Sequence, residues 1–127
     1  MAGNKVLVIE DNALNLELVT DLLEARGFVV LQARAAEEGL RLAREALPDL
    51  ILMDLSLPGM DGLTATQELR ASPATRSISV VALTAHAMRG DEQAALSAGC
   101  DGYLSKPIDT RSFVETLTTF MHVAREH

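Results

Sequence analysis

The chain has 127 residues, a formal net charge of −7, and 48% hydrophobic against 23% charged residues, which suits one domain with a sizeable core. The acidic balance excludes nucleic-acid binding through a broad basic surface, since that needs clustered Lys and Arg. A single cysteine, Cys100, excludes an internal disulfide and fits a reducing compartment; with no signal-peptide pattern and no apolar run near the roughly 18 residues of a membrane span, a cytoplasmic protein without nucleic-acid or membrane partners is expected.

Lys5 to Ile9 is a short apolar, β-branched-rich run that predicts a first strand, followed by the acidic turn Glu10, Asp11 and Asn12. Asn12 is placed to cap the next element. Residues 13–26 read as a helix, with Leu18, Val19, Leu22 and Leu23 as its apolar stripe and Gly27 as its C-terminal cap. Leu14 and Leu16 lie off the centre of that stripe; they pad the edge of the core or form a partner-facing patch beside the acidic turn. Residues 28–33 predict strand 2. Residues 35–46 predict helix 2, with Gly39 a weak point inside it and Pro48 breaking it.

Strand 3 is the continuous apolar run Leu50, Ile51, Leu52 and Met53, which ends in Asp54. A run of this kind bounded by turn signals reads as a strand buried on both faces. Helix 3 follows over 63–71 and stops at Ser72 and Pro73. Strand 4 covers 78–84, helix 4 covers 86–98 with Gly99 as its cap, and strand 5 covers 100–105. Asp109 is placed to cap helix 5, whose stripe is Phe113, Leu117, Phe120, Met121 and Ala124. Strand and helix thus alternate five times, which predicts an α/β fold: a five-stranded parallel sheet with helices on both faces. The common strand order for five such units is 2-1-3-4-5. Residues 1–127 are expected to form a single domain.

In open α/β sheets, ligands bind outside the carboxyl ends of the strands. Strand 1 delivers Glu10 and Asp11 there, strand 3 delivers Asp54, strand 4 Thr84 and strand 5 Lys106. In the 2-1-3-4-5 order these strands are neighbours about 4.8 Å apart, so three carboxylates and an ammonium crowd one rim. Carboxylates that close raise one another's pKa unless something neutralises them. Oxygen ligands suit Mg2+, with Asp11 and Asp54 as direct ligands, Glu10 acting through water and the Ser56 backbone carbonyl adding one more. The chain has nine Arg but only two Lys, Lys5 and Lys106, so a role for each is expected. Lys106 is a point charge suited to a phosphate, and Thr84 supplies a hydroxyl. Together these groups suit a tetrahedral dianion attached at Asp54, whose carboxylate is a competent nucleophile for phosphoryl groups.

The chain resembles the receiver domain of bacterial two-component response regulators. The resemblance rests on Glu10 and Asp11, on Ile51 to Asp54 with Pro58, Gly59, Met60, Asp61 and Gly62, on Leu83, Thr84 and Ala85, and on Gly102, Tyr103, Leu104, Ser105, Lys106 and Pro107. It implies the flavodoxin-like receiver fold, Asp54 as phosphoacceptor, and Thr84 and Lys106 contacting the phosphoryl group. It implies a cis peptide before Pro107 and Tyr103 as a switch aromatic, against plain packing in an edge strand. The segments from Glu10 to Asn15 and from Thr84 to Asp91 resemble receivers of hybrid histidine kinases and single-domain regulators of the DivK type. Glu10 stands where the family also uses Asp.

The implied function is a phosphorelay step. A histidine kinase or histidine phosphotransfer protein donates the phosphoryl group, and helix 4, strand 5 and helix 5 then present a surface to a downstream protein target. His86 is a candidate for adjusting water access to the phosphoryl group. With no output domain expected, partner docking carries the signal, and slow self-dephosphorylation resets it. The alternative is a small aspartate-dependent phosphatase, but those enzymes need a general acid two residues after the nucleophile, where this chain has Ser56. A flavin-binding domain is disfavoured by the absence of Trp and by an acidic first turn.

Overall fold

The computed structural model describes residues 5–55, 57, 60–84, 89–106 and 108–125, with the backbone alone described for 89–92 and 121–125. Ten elements alternate along it: β1 (Lys5–Ile9), α1 (Ala13–Glu24), β2 (Val29–Ala33), α2 (Ala36–Ala46), β3 (Leu50–Asp54), α3 (Gly62–Ala71), β4 (Ser79–Thr84), α4 (Arg89–Ala98), β5 (Gly102–Ser105) and α5 (Phe113–Arg125). The strands are all parallel, in the order β2-β1-β3-β4-β5. The expected α/β architecture and strand order are both present.

Alternation of side chains along each strand builds two apolar layers. Leu7, Ile9, Ile51, Met53, Val80 and Ala82 pack with α2, α3 and α4 on one face. Val6, Val8, Leu50, Leu52, Val81 and Leu83 pack with α1 and α5 on the other. All five residues of β3 are buried, which is why this central strand reads as an unbroken apolar run up to Asp54.

Helix ends follow their expected chemistry. Asn12 caps α1 by accepting the Asn15 N–H at 3.0 Å. Beyond the other end of α1, Gly27 has φ +90, its N–H donates to Glu24 at 3.0 Å, and the Phe28 N–H reaches Leu23 at 3.1 Å. This paired closure needs a left-handed residue at Gly27. Gly99 at φ +115 closes α4 in the same way through Leu96 and Ala95. β5 therefore begins at Gly102 rather than Cys100, because Cys100 completes that closure. Asp109 caps the turn ahead of α5, taking the Arg111 N–H on its carboxylate at 3.0 Å, and the helix proper starts at Phe113.

The α1 stripe differs from expectation. Its buried residues are Leu16, Val19, Thr20 and Leu23, whereas Leu18 is 38% exposed and Leu14 79% exposed. Leu16 is core and not part of a partner-facing patch. The stripe is the i, i+3, i+4, i+7 set, obscured by a polar member: Thr20 is accommodated because the Gln32 Nε2 donates to its hydroxyl at 2.8 Å. In α5, Val114 joins the expected Phe113 and Leu117 in the core. Gly39 is not merely a weak point, since a Cβ there would collide with the Ile9 side chain. Its absence lets α2 lie close on β1. The side chains of Met121 and Ala124, the expected helix 4 start at His86, and Pro107 with its peptide bond lie outside the described residues.

Candidate functional site

The register sets the carboxyl ends of the strands level. Ile9 pairs with Met53, so Glu10 follows alongside Asp54; Asp54 pairs with Leu83, and Thr84 with Ser105. The ladder continues one step past the strands. Glu10 N–H donates to Ala33 at 3.0 Å, Leu55 N–H to Leu83 at 3.0 Å, and Lys106 N–H to Thr84 at 2.7 Å. The tips are thus fixed by backbone bonds before any side chain acts.

Asp54, at the end of β3, and Glu10 are each 1% exposed. Lys106 Nζ lies 3.3 Å from Asp54 Oδ2 and 3.2 Å from Glu10 Oε1. One carboxylate oxygen each from Glu10, Asp11 and Asp54 lies within 4.8 Å of the others. The expected Glu10, Asp11, Asp54 and Lys106 are therefore brought together. Thr84 is buried at the tip of β4, one residue beyond the cross-strand partner of Asp54. Tyr103 pairs with Ala82, is half-buried and packs against the layer formed with α2, α3 and α4. It sits on the sheet face opposite the one whose alternation leads to Asp54. Ser56 lies outside the described residues.

Charge at this rim is unbalanced: three carboxylates cluster together, and one ammonium meets two of them. Burial pushes the Glu10 carboxyl up to about 7, its contact with Asp54 adds to the rise, and the Asn12 backbone amide and Lys106 oppose it. For Lys106, burial works against the charge, but Asp54 and Glu10 outweigh it and hold the ammonium above its ordinary pKa. Glu10 Oε2 accepts the Asn12 N–H at 3.1 Å. Its other oxygen, Oε1, is buried and faces the Lys106 ammonium at 3.2 Å, with no aligned hydrogen bond among the described residues. A buried carboxylate oxygen that meets only the Lys106 ammonium among the described residues, at 3.2 Å, beside two further carboxylates, is a donor set that fits a hard divalent cation, and the oxygen ligands fit Mg2+.

The roles of three supporting residues, Gly62, Asp61 and Arg34, escaped the sequence reading. A Cβ on Gly62 would stand 2.7 Å from the Asp54 carbonyl oxygen, so only glycine lets α3 begin against the end of β3. Asp61 caps that helix through the Thr64 N–H at 2.8 Å. Arg34 follows β2 and donates from Nη2 to the Asp11 carbonyl at 2.8 Å. The available signal was position: Arg34 is what strand 2 delivers to the rim, and only strands 1, 3, 4 and 5 had been counted there.

Residues 6–118 match the family described as the response regulator receiver domain. The chain belongs to that family, the receiver domains of response regulators in two-component signalling. Within the family it is 46% identical over 116 residues to the polar-differentiation response regulator DivK of Brucella ovis, covering 91% of this chain and 94% of that one. Among solved structures it is similar to the receiver domain of a sensor histidine kinase from Pseudomonas aeruginosa, which has a magnesium ion coordinated in its active-site cleft. The two are 35% identical with a TM-score of 0.87, over 95% of this chain and 99% of that one. The chemotaxis response regulator CheY4 of Vibrio cholerae is 26% identical with a TM-score of 0.87, over 91% of this chain and 97% of that one. Among the described residues, no helix is long and apolar enough to cross a membrane.

Proposed function

We propose that Asp54 accepts a phosphoryl group from a phosphohistidine of a histidine kinase or histidine phosphotransfer protein, in the cytoplasm and with Mg2+ present. An Asp54 oxygen attacks phosphorus as the P–N bond to the imidazole breaks. The bonding electron pair returns to the ring nitrogen, which takes up a proton, and an aspartyl phosphate remains. Asp11, Asp54 and the Ser56 carbonyl would hold Mg2+, with Glu10 acting through a water. Mg2+ bound there supplies neutralising charge for the phosphoryl oxygens. Lys106 provides the fixed positive charge on the other side of Asp54, and Thr84 offers its hydroxyl to the same phosphoryl group.

The observation that carries this reading is one juxtaposition: the Lys106 ammonium lies 3.3 Å from Asp54 Oδ2, and Asp54 belongs to a group of three carboxylates within 4.8 Å of one another. Addition of a dianion at Asp54 draws in Thr84. Tyr103 stands on the adjoining strand, on the same face as Thr84 by alternation, and its ring follows. The α4, β5 and α5 face then shifts population toward a form that a downstream protein recognises. Slow hydrolysis of the acyl phosphate resets the protein.

The test is incubation with acetyl phosphate and Mg2+ followed by intact mass. One phosphoryl adduct is expected in the parent and none in Asp54→Asn. An unchanged parent mass despite measured Mg2+ binding would overturn the assignment. Sustained turnover of free phosphomonoesters would favour the phosphatase alternative, which Ser56 argues against.

A further inference from the structure

We propose that Arg34 is a positioning residue for the Mg2+ site: by tethering the Asp11 peptide it sets the affinity for the cation. This rests on the reading of Asp11 as a Mg2+ ligand. Asp11 is the site carboxylate with the least support of its own. Glu10 is held by the ladder bond to Ala33 and by Lys106. Asp54 is the last residue of a fully buried strand. Asp11 lies one residue further out and is half-buried, in the bend between Glu10 and the α1 cap Asn12.

Repulsion among the three carboxylates pushes this bend away from β3 whenever no cation is present. Among the described residues, the guanidinium of Arg34 restrains the bend from outside, 2.8 Å from the Asp11 carbonyl. Arg34 is itself anchored, since its N–H donates to Glu38 Oε1 at 3.1 Å at the start of α2. A charged donor on a carbonyl makes a stronger bond than a neutral one. Holding the peptide plane limits where the Asp11 carboxylate can point, so less ordering remains to be done when the cation arrives. Outer partners that orient a metal's ligands typically alter affinity by about 10–100-fold. The Arg34 bond is exposed, which puts the effect near the lower end.

Two effects of Arg34 have opposite signs, and this makes the idea decidable. As a mere positive charge near the site, Arg34 would repel Mg2+, and its removal would tighten binding. As a tether, its removal weakens binding. The experiment is Mg2+ titration by calorimetry on the parent, Arg34→Met and Arg34→Lys, beside the Mg2+ dependence of acetyl-phosphate labelling. Arg34→Met is expected to weaken Mg2+ binding about 10-fold and to raise the half-saturating Mg2+ for labelling equally. The labelling rate at saturating Mg2+ is expected to stay close to the parent rate, a split that simple destabilisation would not produce. Arg34→Lys keeps the charge and one donor, and is expected to recover part of the loss. Equal or tighter Mg2+ binding in Arg34→Met overturns the proposal, as does an Arg34→Lys protein no better than Arg34→Met. A parent that binds no Mg2+ would instead sink the underlying site assignment, and this inference with it.

Discussion

The two rims of the sheet are made of similar groups arranged to opposite ends. At the carboxyl rim, Glu10 and Asp54 are buried around one ammonium, and the carboxylate of Asp11 stands beside them. At the amino rim, Arg70 on α3 meets four acceptors. Its Nε donates to Gly99 at 2.9 Å, Nη1 to Arg76 at 2.7 Å and to Ile78 at 2.6 Å, and Nη2 to Asp101 at 2.9 Å. Asp101 in turn takes the Val80 N–H at 2.8 Å. One rim leaves negative charge for a cation to complete; the other closes its charges within the fold and ties α3 to the segments entering β4 and β5. Strain of the first kind belongs to sites, and the second kind belongs to stability.

The largest expected effect is therefore at the amino rim, away from the proposed phosphoacceptor. Arg70→Met strands three carbonyls and removes the charged partner of Asp101, at a cost of about 3–4 kcal/mol. In a chain of this length that lowers the thermal midpoint by about 10 °C. Mg2+ affinity should not change, because the bonds lost are all at the far end of the strands. Denaturant unfolding and calorimetric Mg2+ titration on one preparation check both halves. A loss of Mg2+ affinity would show that the rims are coupled and that the contrast is wrong.

The next effect concerns Glu10. Its pKa in the fold is about 7 against an ordinary 4.5, so the folded state binds this proton more tightly than the unfolded chain does. Without Mg2+, the associated stability is fully present below pH 4.5 and is lost as pH rises through 7. The ceiling set by the shift is reduced as the ammonium and the turn relax, leaving about 2 kcal/mol across that window. Mg2+ stabilises the ionised form and should flatten the slope; Glu10→Gln should abolish it. Urea midpoints in EDTA from about pH 5 to about pH 8 measure this. Stability that rises over that range, or an unchanged slope in Glu10→Gln, would remove Glu10 as the source of imbalance.

The two rims also differ in how much of them the sequence disclosed. The fold was legible because strand and helix alternate at regular spacing, and the site because strand ends in a parallel sheet must converge. Glu10, Asp11, Asp54, Thr84 and Lys106 each terminate a strand or follow one within two residues, so one topological guess places them all. Arg70 has no such marker. Its acceptors Gly99 and Asp101 lie 29 and 31 residues away, and nothing local distinguishes it from a solvated arginine at a helix end. The close approaches at Gly39 and Gly62 were hidden for the same reason: each is a demand made by another element, Ile9 on one and the Asp54 carbonyl on the other. On α1 the misplaced stripe came from counting only apolar residues, which left out Thr20, whose partner Gln32 sits on β2.

The smallest effect compares the two lysines, one at each rim. Lys5 Nζ donates to the Ala46 carbonyl at 3.1 Å, at the end of α2, while its backbone exchanges bonds with Asp49 at 2.9 and 2.8 Å. The ammonium thus meets the negative end of a helix dipole. That contact is half-exposed, and water can replace it once the side chain is cut. Lys5→Met should cost only about 0.5 kcal/mol, with that loss shrinking in high salt and with no change in acetyl-phosphate labelling. Lys106→Met removes the one ammonium shown between Asp54 and Glu10, so it should impair labelling far more than it changes the midpoint at low pH, where Glu10 is neutral. If instead Lys5→Met impairs labelling as much as Lys106→Met, scarcity of lysine marks a whole-chain requirement, and its placement at two rims of different purpose explains nothing.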